Sequence, residues 1–209
     1  MDKRTVLEKH FKKISTKDNQ TRLKHIKFKG NGDMQFGTAE RMVWAKAIVE
    51  ESGHDYYKPE LAEGSQYPDV DRLFPSYDYK PIELPVKDFQ NVLSPLLSKV
   101  GVLYQNRKQE WKTRYVPISE FVEITINASG IVVTPVYKND HFVKASIDYD
   151  TGAEEEIQFR INTKFLVEAL MLFKQLKHKE VFLTFRAPLK PILLHAEGLD
   201  YIIATVRGS

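Results

Sequence analysis

The stretch Tyr67-Pro-Asp-Val-Asp-Arg-Leu-Phe-Pro75 decides how the chain is divided, because its two prolines and two aspartates suit neither a helix nor a strand. Proline fixes its own φ and restricts the residue before it, so both ends of the stretch are held extended. A flexible tether would be rich in glycine and serine and would lack Val70, Leu73 and Phe74, which we expect to be buried. The stretch, called the strap below, predicts a structured connector between two domains, with Arg72 facing a groove.

The composition is that of an ordinary globular protein. The chain has 209 residues, of which 42% are hydrophobic and 28% charged, enough for one large domain or two small ones. Cysteine is absent, which excludes disulfides, thiolate metal sites and a cysteine nucleophile. No apolar run approaches the roughly 18 residues of a membrane span, and the charged start Asp2-Lys3-Arg4 gives no secretion signal, so we expect a cytoplasmic protein. The net charge of +3 permits nucleic-acid contact without arguing for it.

Hydrophobic periodicity predicts a helix followed by strands three times along the chain. Residues 5–14 have apolar positions at helical spacing and lysines on the remaining surface. A second helix covers 89–100 with an interruption at Pro95, and a third is capped near Asn162 or Thr163 and ends near residue 177. The predicted strands are 26–28, 34–36 and 42–49 after the first helix, 122–126, 131–136, 142–147 and 155–161 after the second, and 181–185, 192–195 and 201–206 after the third. This order predicts an α+β fold with an internal structural repeat.

Turn signals divide these elements. Asn31-Gly32 predicts a two-residue hairpin turn, and Asn127-Ala-Ser-Gly130 predicts a longer one. Residues 52–66 and the polar segment 101–117, which contains Trp111, predict loops, the second with some β character.

The sequence order of the tail resembles the last domain of the bacterial sliding clamp, the β subunit of DNA polymerase III. The matching segments are Phe165-Leu-Val-Glu-Ala-Leu170, Val181-Phe-Leu-Thr-Phe185, Pro191-Ile-Leu-Leu194 and Tyr201-Ile-Ile-Ala-Thr-Val-Arg207. The strap resembles the segment that leads from the middle domain to the last. Upstream, Thr21-Arg22-Leu23 and Thr38-Ala-Glu-Arg-Met42 are similar to strands in the first half of the middle domain. Ala204 and Thr205 depart from the family, in which a large apolar residue and a proline are usual.

The resemblance implies a shortened clamp without the first domain and part of the middle domain. It divides the chain into a truncated middle-domain module at 1–66, a connecting segment at 67–83 that begins with the strap, and a complete last domain at 84–209. The fold is then α+β, with clamp-like repeats of a helix followed by a short antiparallel sheet. Three such modules per chain would close the family's ring only as a homo-oligomer, with four copies if all other geometry is kept.

The function implied by the resemblance is that of a processivity factor or platform that tethers polymerase and other replication proteins to DNA. A clamp binds double-stranded DNA without reading its sequence, because helices carrying lysine and arginine attract phosphates. A clamp loader is a further partner that the resemblance implies. The DNA-facing residues would be Lys3, Arg4, Lys9, Lys12, Lys13, Lys87, Lys99, Lys164, Lys174 and Lys177. The alternative interpretation is that these cations form the solvated side of amphipathic helices.

A groove for partner peptides is the second site that the resemblance implies. Apolar side chains would bury a peptide anchor, while arginine or backbone groups fix its register. The groove residues would be Leu23, Thr38, Arg41, Met42, Pro68, Arg72, Leu73, Ile202, Ile203, Val206 and Arg207. Met42, Leu73 and Ile203 could instead be core residues. An alternative function is an interaction protein or decoy, from a phage or mobile element, that binds such peptides without encircling DNA.

Residue patterns give little support to catalysis. The six histidines show no metal-ligand spacing, and no glycine-rich phosphate loop is present. The carboxylate pairs Asp69 with Asp71 and the run 154–156 are better explained as a turn and a solvated hairpin end. We therefore expect no enzyme activity, no metal and no cofactor.

Overall fold

The computed structural model describes residues 2–15, 24–63, 65–74, 80–105, 109, 111–136, 144–187 and 189–207. These residues form an α+β fold of helices packed on antiparallel sheets. The helices are α1 (Lys3–Ser15), α2 (Val86–Leu93) and α3 (Thr163–Gln175). The strands are β1 (Ile26–Phe28), β2 (Met34–Thr38), β3 (Arg41–Ala45), β4 (Tyr56–Lys58), β5 (Ile82–Glu83), β6 (Lys99–Gln105), β7 (Trp111–Pro117), β8 (Phe121–Asn127), β9 (Gly130–Val136), β10 (Ala145–Asp148), β11 (Ile157–Asn162), β12 (Phe182–Thr184), β13 (Ile192–Ala196) and β14 (Leu199–Ile203).

An eight-stranded antiparallel sheet joins the two ends of the chain, in the order β4-β1-β2-β3-β14-β13-β12-β5. At its centre β3 pairs with β14, and the register places Met42 opposite Ile202. Each of these strands is the third one after a helix, α1 in one case and α3 in the other. The sheet therefore consists of two similar halves that meet at equivalent strands.

After α2, β6 and β7 form a two-stranded sheet, and the next four strands form a four-stranded sheet in the order β10-β9-β8-β11. The strand just before each of the helices α2 and α3 belongs to a different sheet from the strands that follow the helix. β5 precedes α2 and pairs with β12 in the eight-stranded sheet, whereas β11 precedes α3 and pairs with β8 in the four-stranded sheet. This exchange ties the unit that begins with α2 to the unit that begins with α3. At the far end of the larger sheet β4 pairs with β1, in the place that β5 occupies beside β12.

Four of the predicted elements differ in the structure. Residues 52–66 contain the strand β4 rather than only a loop, and 101–117 belong largely to a β6–β7 hairpin. The second helix ends at Leu93 and continues as a 3-10 turn at Ser94–Leu97, because the ring of Pro95 is incompatible with a helix interior. Asn31-Gly32 lies in a five-residue connection, since β1 and β2 pair only up to Phe28 and Met34.

Strand ends were predicted less well than strand positions. β3 ends at Ala45 rather than at residue 49, because Ala47 has a positive φ of 50° that no strand can include. β14 ends at Ile203, so Val206 follows the strand. β10 begins at Ala145, and the predicted start at Phe142 lies outside the described residues.

The main hydrophobic core lies between the helices and both of the larger sheets. α1 buries Val6, Leu7, Phe11 and Ile14, as its helical spacing predicts. α3 begins where predicted, because the Asn162 side chain accepts hydrogen bonds from the amides of the next turn, at 3.0 and 3.3 Å. Burying each large apolar side chain of this kind contributes about 1.5–3 kcal/mol.

Candidate functional site

The strap lies across the face of the large sheet that is opposite the main core. Val70 is 3% exposed and packs with Met42, Leu193 and Ile202 in a separate small cluster. A single 3-10 turn at Asp71–Leu73 follows. Leu73 is 48% exposed, so the expectation that all three apolar strap residues are buried is wrong for this one. Pro75 lies outside the described residues.

Polar and aromatic contacts anchor the strap to the sheet. The Asp71 carboxylate accepts hydrogen bonds from Lys29 Nζ at 2.7 Å and from Gln35 Nε2 at 2.6 Å. Burial by itself raises the pKa of Asp71, but these two hydrogen bonds and the nearby lysine charges lower it below its usual value. Phe74 packs edge-on against Trp44 with ring centroids 5.1 Å apart. These contacts position the exposed Leu73 beside the junction of β3 and β14.

A groove of about 270 Å³ lies between the strap and this junction. Its walls come from the β2–β3 turn, the strap and the end of β14, and its lining is mainly apolar. Seven of the predicted groove residues line it: Thr38, Arg41, Met42, Pro68, Arg72, Leu73 and Ile202. The fold thus brings together residues that are far apart in the chain.

Three of the other four predicted groove residues are described by the structure and lie elsewhere. Ile203 is fully buried in the main core, because successive residues of a strand face opposite sides of the sheet. Val206 and Arg207 follow β14, and the Val206 amide donates to the Arg160 carbonyl at 2.9 Å. Leu23 lies outside the described residues.

Further lining residues were not predicted. They are Ala39, Glu40, Asp69, Val70, Pro191 and Ala204. Val70 and Asp69 belong to the strap, so their position next to Pro68 was the signal that could have identified them. Glu40 and Asp69 place two carboxylates on the lining, whereas Arg72 is an exposed cation there.

Arg41 contributes to the groove from a buried position. It is 5% exposed, and its guanidinium pairs with the carboxylate of Glu168 on α3, which is 4% exposed. The same guanidinium lies 4.2 Å from the ring centroid of Phe165. Lys13 Nζ and Lys164 Nζ lie 3.4 and 3.9 Å from the other Glu168 oxygen. The Arg41 side chain is therefore fixed, with its charge compensated inside the protein.

The titration of Glu168 follows from these neighbours. Burial by itself raises the pKa of its carboxyl. The charge and hydrogen bond of Arg41, with the charges of Lys13 and Lys164, lower the pKa more, so it lies below the usual value. Glu168 is thus an anion that links a groove residue to cations of α1 and α3.

His10 and Tyr201 extend this buried polar cluster. Nε2 of His10 lies 3.2 Å from the Tyr201 hydroxyl, and both side chains are buried. Burial and the Arg41 charge lower the pKa of His10 to about 4, so the imidazole is neutral at pH 7. Burial also raises the pKa of the Tyr201 hydroxyl.

Eight of the ten predicted DNA-facing cations lie on the three helices, whereas Lys99, expected on the second helix, lies in a strand, and Lys177 follows α3. On α1 the exposed members are Lys3, Lys9, Lys12 and Lys13. Arg4 is partly buried, bonds to Glu8 at 3.1 Å and lies 5.3 Å from the Phe28 ring centroid. Lys164 is partly buried, and Lys99 begins β6.

A second groove, of about 610 Å³, contains the remaining predicted cations. It lies between the start of α2 and the end of α3. Lys87, Lys174 and Lys177 line it together with the unpredicted Lys179. Exposed positions suit both interpretations of these lysines, DNA contact and simple solvation.

In the part of the chain that the structure describes, no group of three or more histidine, aspartate or glutamate side chains is arranged to hold a metal ion. Among the same residues, no helix has the length and apolar character needed to cross a membrane.

Comparison with solved structures shows that the chain has the sliding-clamp fold. The DNA polymerase sliding clamp from Pseudomonas aeruginosa superposes with a TM-score of 0.70 at 10% identity, covering 100% of this chain and 65% of that one. The DNA polymerase III β subunit from Thermotoga maritima gives 0.71 at 13% identity, with the same coverages. The Helicobacter pylori β clamp bound to a DNA ligase peptide gives 0.68 at 14% identity, covering 97% of this chain and 63% of that one.

The resemblance noted in the sequence is confirmed at the level of the fold. The chain spans about 65% of the length of the clamps that it matches. No protein-family model and no curated protein matches the sequence.

Proposed function

We propose that this protein is a non-enzymatic, clamp-like platform that tethers DNA polymerase and other replication proteins to DNA through the groove beside the strap. The observation that carries the proposal is this groove, at the junction of two clamp-like sheet halves. The Helicobacter pylori β clamp, which has the same fold, has been solved with a DNA ligase peptide bound. The partners of this protein would carry a comparable short peptide.

The groove suits a peptide with an apolar anchor. Met42, Val70 and Ile202 provide a buried apolar floor, and Leu73 and Pro68 provide a more exposed wall. A preformed floor of this kind lowers the ordering cost of binding. Because Arg41 is neutralised by Glu168, Arg72 is the cation of the described lining that can attract a carboxylate of the peptide.

DNA contact would come from the exposed lysines of α1, α2 and α3. Encircling a duplex requires a closed ring. Because one chain provides only three modules, several copies would be needed to close that ring, and the proposal therefore includes a homo-oligomer. The divisions at 1–66, 67–83 and 84–209 remain part of this proposal. A cytoplasmic location and a clamp loader follow from the same function.

Peptide binding tests the groove. We expect a fluorescein-labelled DNA ligase peptide of the kind bound by the Helicobacter pylori clamp to bind the protein in fluorescence anisotropy. Arg72→Ala combined with Leu73→Ala should weaken binding at least tenfold, because both side chains are exposed on the groove wall. The matched control is Arg186→Ala with Leu189→Ala, a second exposed pair outside the groove. Equal affinities for the two double variants would contradict the groove assignment.

Retention on circular DNA tests the ring. Protein bound to a nicked plasmid should remain bound during gel filtration and be released when the plasmid is linearised, since a ring slides off an end. Light scattering on the free protein gives the number of copies. A monomer that binds the peptide but is never retained on circles would support the alternative, a decoy.

A further inference from the structure

The second groove, between the start of α2 and the end of α3, has the size of a small-molecule site. Its volume of about 610 Å³ lies within the range of about 300–1,000 Å³ that is typical of such sites. The Leu84 amide, just before α2, donates to the carbonyl of Val181, which follows α3, at 2.7 Å. This hydrogen bond ties together the two segments that border the groove.

Four exposed lysines line the second groove, and none of them forms an ion pair with another described residue. They are Lys87, Lys174, Lys177 and Lys179. Lysines at the end of a helix can bond to its last carbonyls, but here backbone amides already do so. The Leu176 amide donates to the Leu172 carbonyl at 3.0 Å, and the His178 amide donates to the Phe173 carbonyl at 3.1 Å. The ammonium groups are therefore available to a ligand.

The second groove also contains two carboxylates and a histidine. Asp88 lies in the first turn of α2, where a negative charge interacts favourably with the helix dipole. Burial, and then the nearby charge of Glu83, raises the pKa of the Tyr149 hydroxyl to about 12. Burial lowers the pKa of His178, so its imidazole is neutral at pH 7. Since the lysines outnumber the carboxylates, the lining has a net positive charge.

Uncharged donors in the same lining also suit an anion. The amides of residues 86–88 precede the first hydrogen bond of α2, which the Phe89 amide makes, and no side chain caps this end of the helix. Gln90 is 8% exposed, and its Nε2 has no hydrogen-bond acceptor. A buried donor without an acceptor is unfavourable, so an oxygen atom of a ligand beside Gln90 would stabilise the site. Lysines and free amides at a helix start are donors that bind phosphate.

The shape of the second groove favours a small ligand over a duplex. A duplex presents its phosphates on a wide cylinder and would reach the exposed lysines without approaching the buried Gln90. A phosphate group of a small molecule can enter the groove beside that side chain. Leu84, Pro85 and Val86 add an apolar surface to the lining.

We propose that the second groove binds a small ligand that carries a chain of phosphate groups, such as a nucleoside triphosphate or inorganic triphosphate. The lysines neutralise the phosphate charges, and the Gln90 amide and the first amides of α2 donate to phosphate oxygens. The site goes beyond the proposed function, because it needs neither the groove beside the strap nor a ring. The lysines of α1 lie outside it and remain available to a duplex.

Calorimetric titration with inorganic triphosphate and with adenosine triphosphate tests the site. We expect saturable binding of both, with one ligand per chain. Tighter binding of the nucleotide would show that its base or sugar contacts the apolar lining, and equal affinities would assign all of the binding to the phosphate chain. Absence of saturable binding of either ligand at about 1 mM overturns the proposal. The DNA ligase peptide, titrated into the same protein, reports separately on the groove beside the strap.

Removal of charge tests the lysines. Lys174→Gln with Lys179→Gln should weaken triphosphate binding at least tenfold, because two of the four cations are lost. The matched control, Lys24→Gln with Lys190→Gln, removes two exposed lysines outside the groove and should bind like the wild type. Equal losses in the two variants overturn the proposal, because they would show attraction to net charge alone. A greater loss of affinity for a duplex of about 20 base pairs than for triphosphate also overturns it, since the lysines would then serve the duplex.

Gln90→Leu separates the proposed donor from a structural role. Leucine has a similar size and no donor, so the free energy of unfolding should be unchanged or higher. Triphosphate binding should weaken about tenfold, as expected for one lost hydrogen bond to a charged group. Asn91→Leu, at an exposed position of α2 outside the lining, is the control and should bind like the wild type. Wild-type affinity for triphosphate in Gln90→Leu would overturn the proposal.

Discussion

Arg41 and Met42 are neighbours in β3, yet they belong to two very different faces of the large sheet. Arg41 faces the helices, where Glu168, His10 and Tyr201 form a buried polar cluster around it. Met42 faces the strap, where it packs in a small apolar cluster with Val70. Since successive residues of a strand alternate between faces, one short segment serves both environments.

The difference between the faces is one of protection from water. On the helix face the charges are buried and compensated, so losing one of them leaves another buried and unpaired. On the strap face the anchoring carboxylate of Asp71 is 44% exposed, and water can replace a lost contact. We therefore expect the helix face to control stability and the strap face to control recognition.

The largest effect should come from removing the buried anion on the helix face. Glu168→Ala leaves the Arg41 guanidinium buried without its carboxylate, and we expect a loss of about 3–5 kcal/mol in the free energy of unfolding. Urea denaturation followed by circular dichroism measures it. The control is Glu123→Ala, which removes the carboxylate of a more exposed pair with Arg160, 2.8 Å apart, and should cost about 1 kcal/mol or less. Similar losses for the two variants would contradict the difference between the faces.

A smaller effect on the same face concerns pH. The pKa of His10 is lowered to about 4 in the folded state, from 6.5 in the unfolded state, so the unfolded chain takes up a proton first as the pH falls. The stability contributed by the neutral imidazole is complete above pH 6.5 and is lost progressively towards pH 4. Between pH 7 and pH 5 the loss should be about 2 kcal/mol.

His10→Gln should remove this part of the pH dependence, because glutamine does not titrate. The fall in unfolding free energy between pH 7 and pH 5 should then be about 2 kcal/mol smaller than in the wild type. Thr5→Gln, which introduces glutamine at an exposed position of the same helix, is the control and should keep the pH dependence of the wild type. A profile identical to that of the wild type for His10→Gln would mean that the imidazole is not held neutral.

The smallest effect should arise on the strap face. Asp71→Ala removes the hydrogen bonds from Lys29 and Gln35, and because the site is partly exposed we expect a loss of about 1 kcal/mol. Limited proteolysis should cleave the strap faster, whereas Glu63→Ala, which removes an exposed carboxylate just before the strap, should resemble the wild type. A loss as large as that for Glu168→Ala would show that the strap is part of the stabilising core.

Much of the fold was predictable because its signals are local. The apolar spacing of α1, the Asn162 cap of α3 and the turn between β8 and β9 each depend on residues a few positions apart. β4 and the β6–β7 hairpin were missed for the same reason. Their segments lack a clear alternation of apolar and polar residues, and β4 is a strand only because it pairs with β1, far earlier in the chain.

The site was predictable only in part. The resemblance to clamps selected the correct segments for seven lining residues, but it could not tell which side of β14 each residue faces, so it included Ile203. The burial of Arg41 gave no signal in the sequence. Its partner Glu168 is 127 residues away in the chain. Glu168 stands among apolar residues of α3, and nothing in that local sequence distinguishes it from any other helix glutamate.

The sequence by itself determined the three helices and most of the strands, with their order, because helix periodicity, caps and turns act over a few residues. Their assembly was decided only by the tertiary structure. The pairing of β3 with β14 joins the two ends of the chain, forms the groove wall and separates the buried charge of Arg41 from the apolar surface of Met42. That pairing gains its free energy from long-range hydrogen bonds and burial on both faces, and no local pattern encodes such contacts. For the strap, the sequence predicted a structured connector, and the sheet beneath it decided which of its apolar residues are buried and which line a groove.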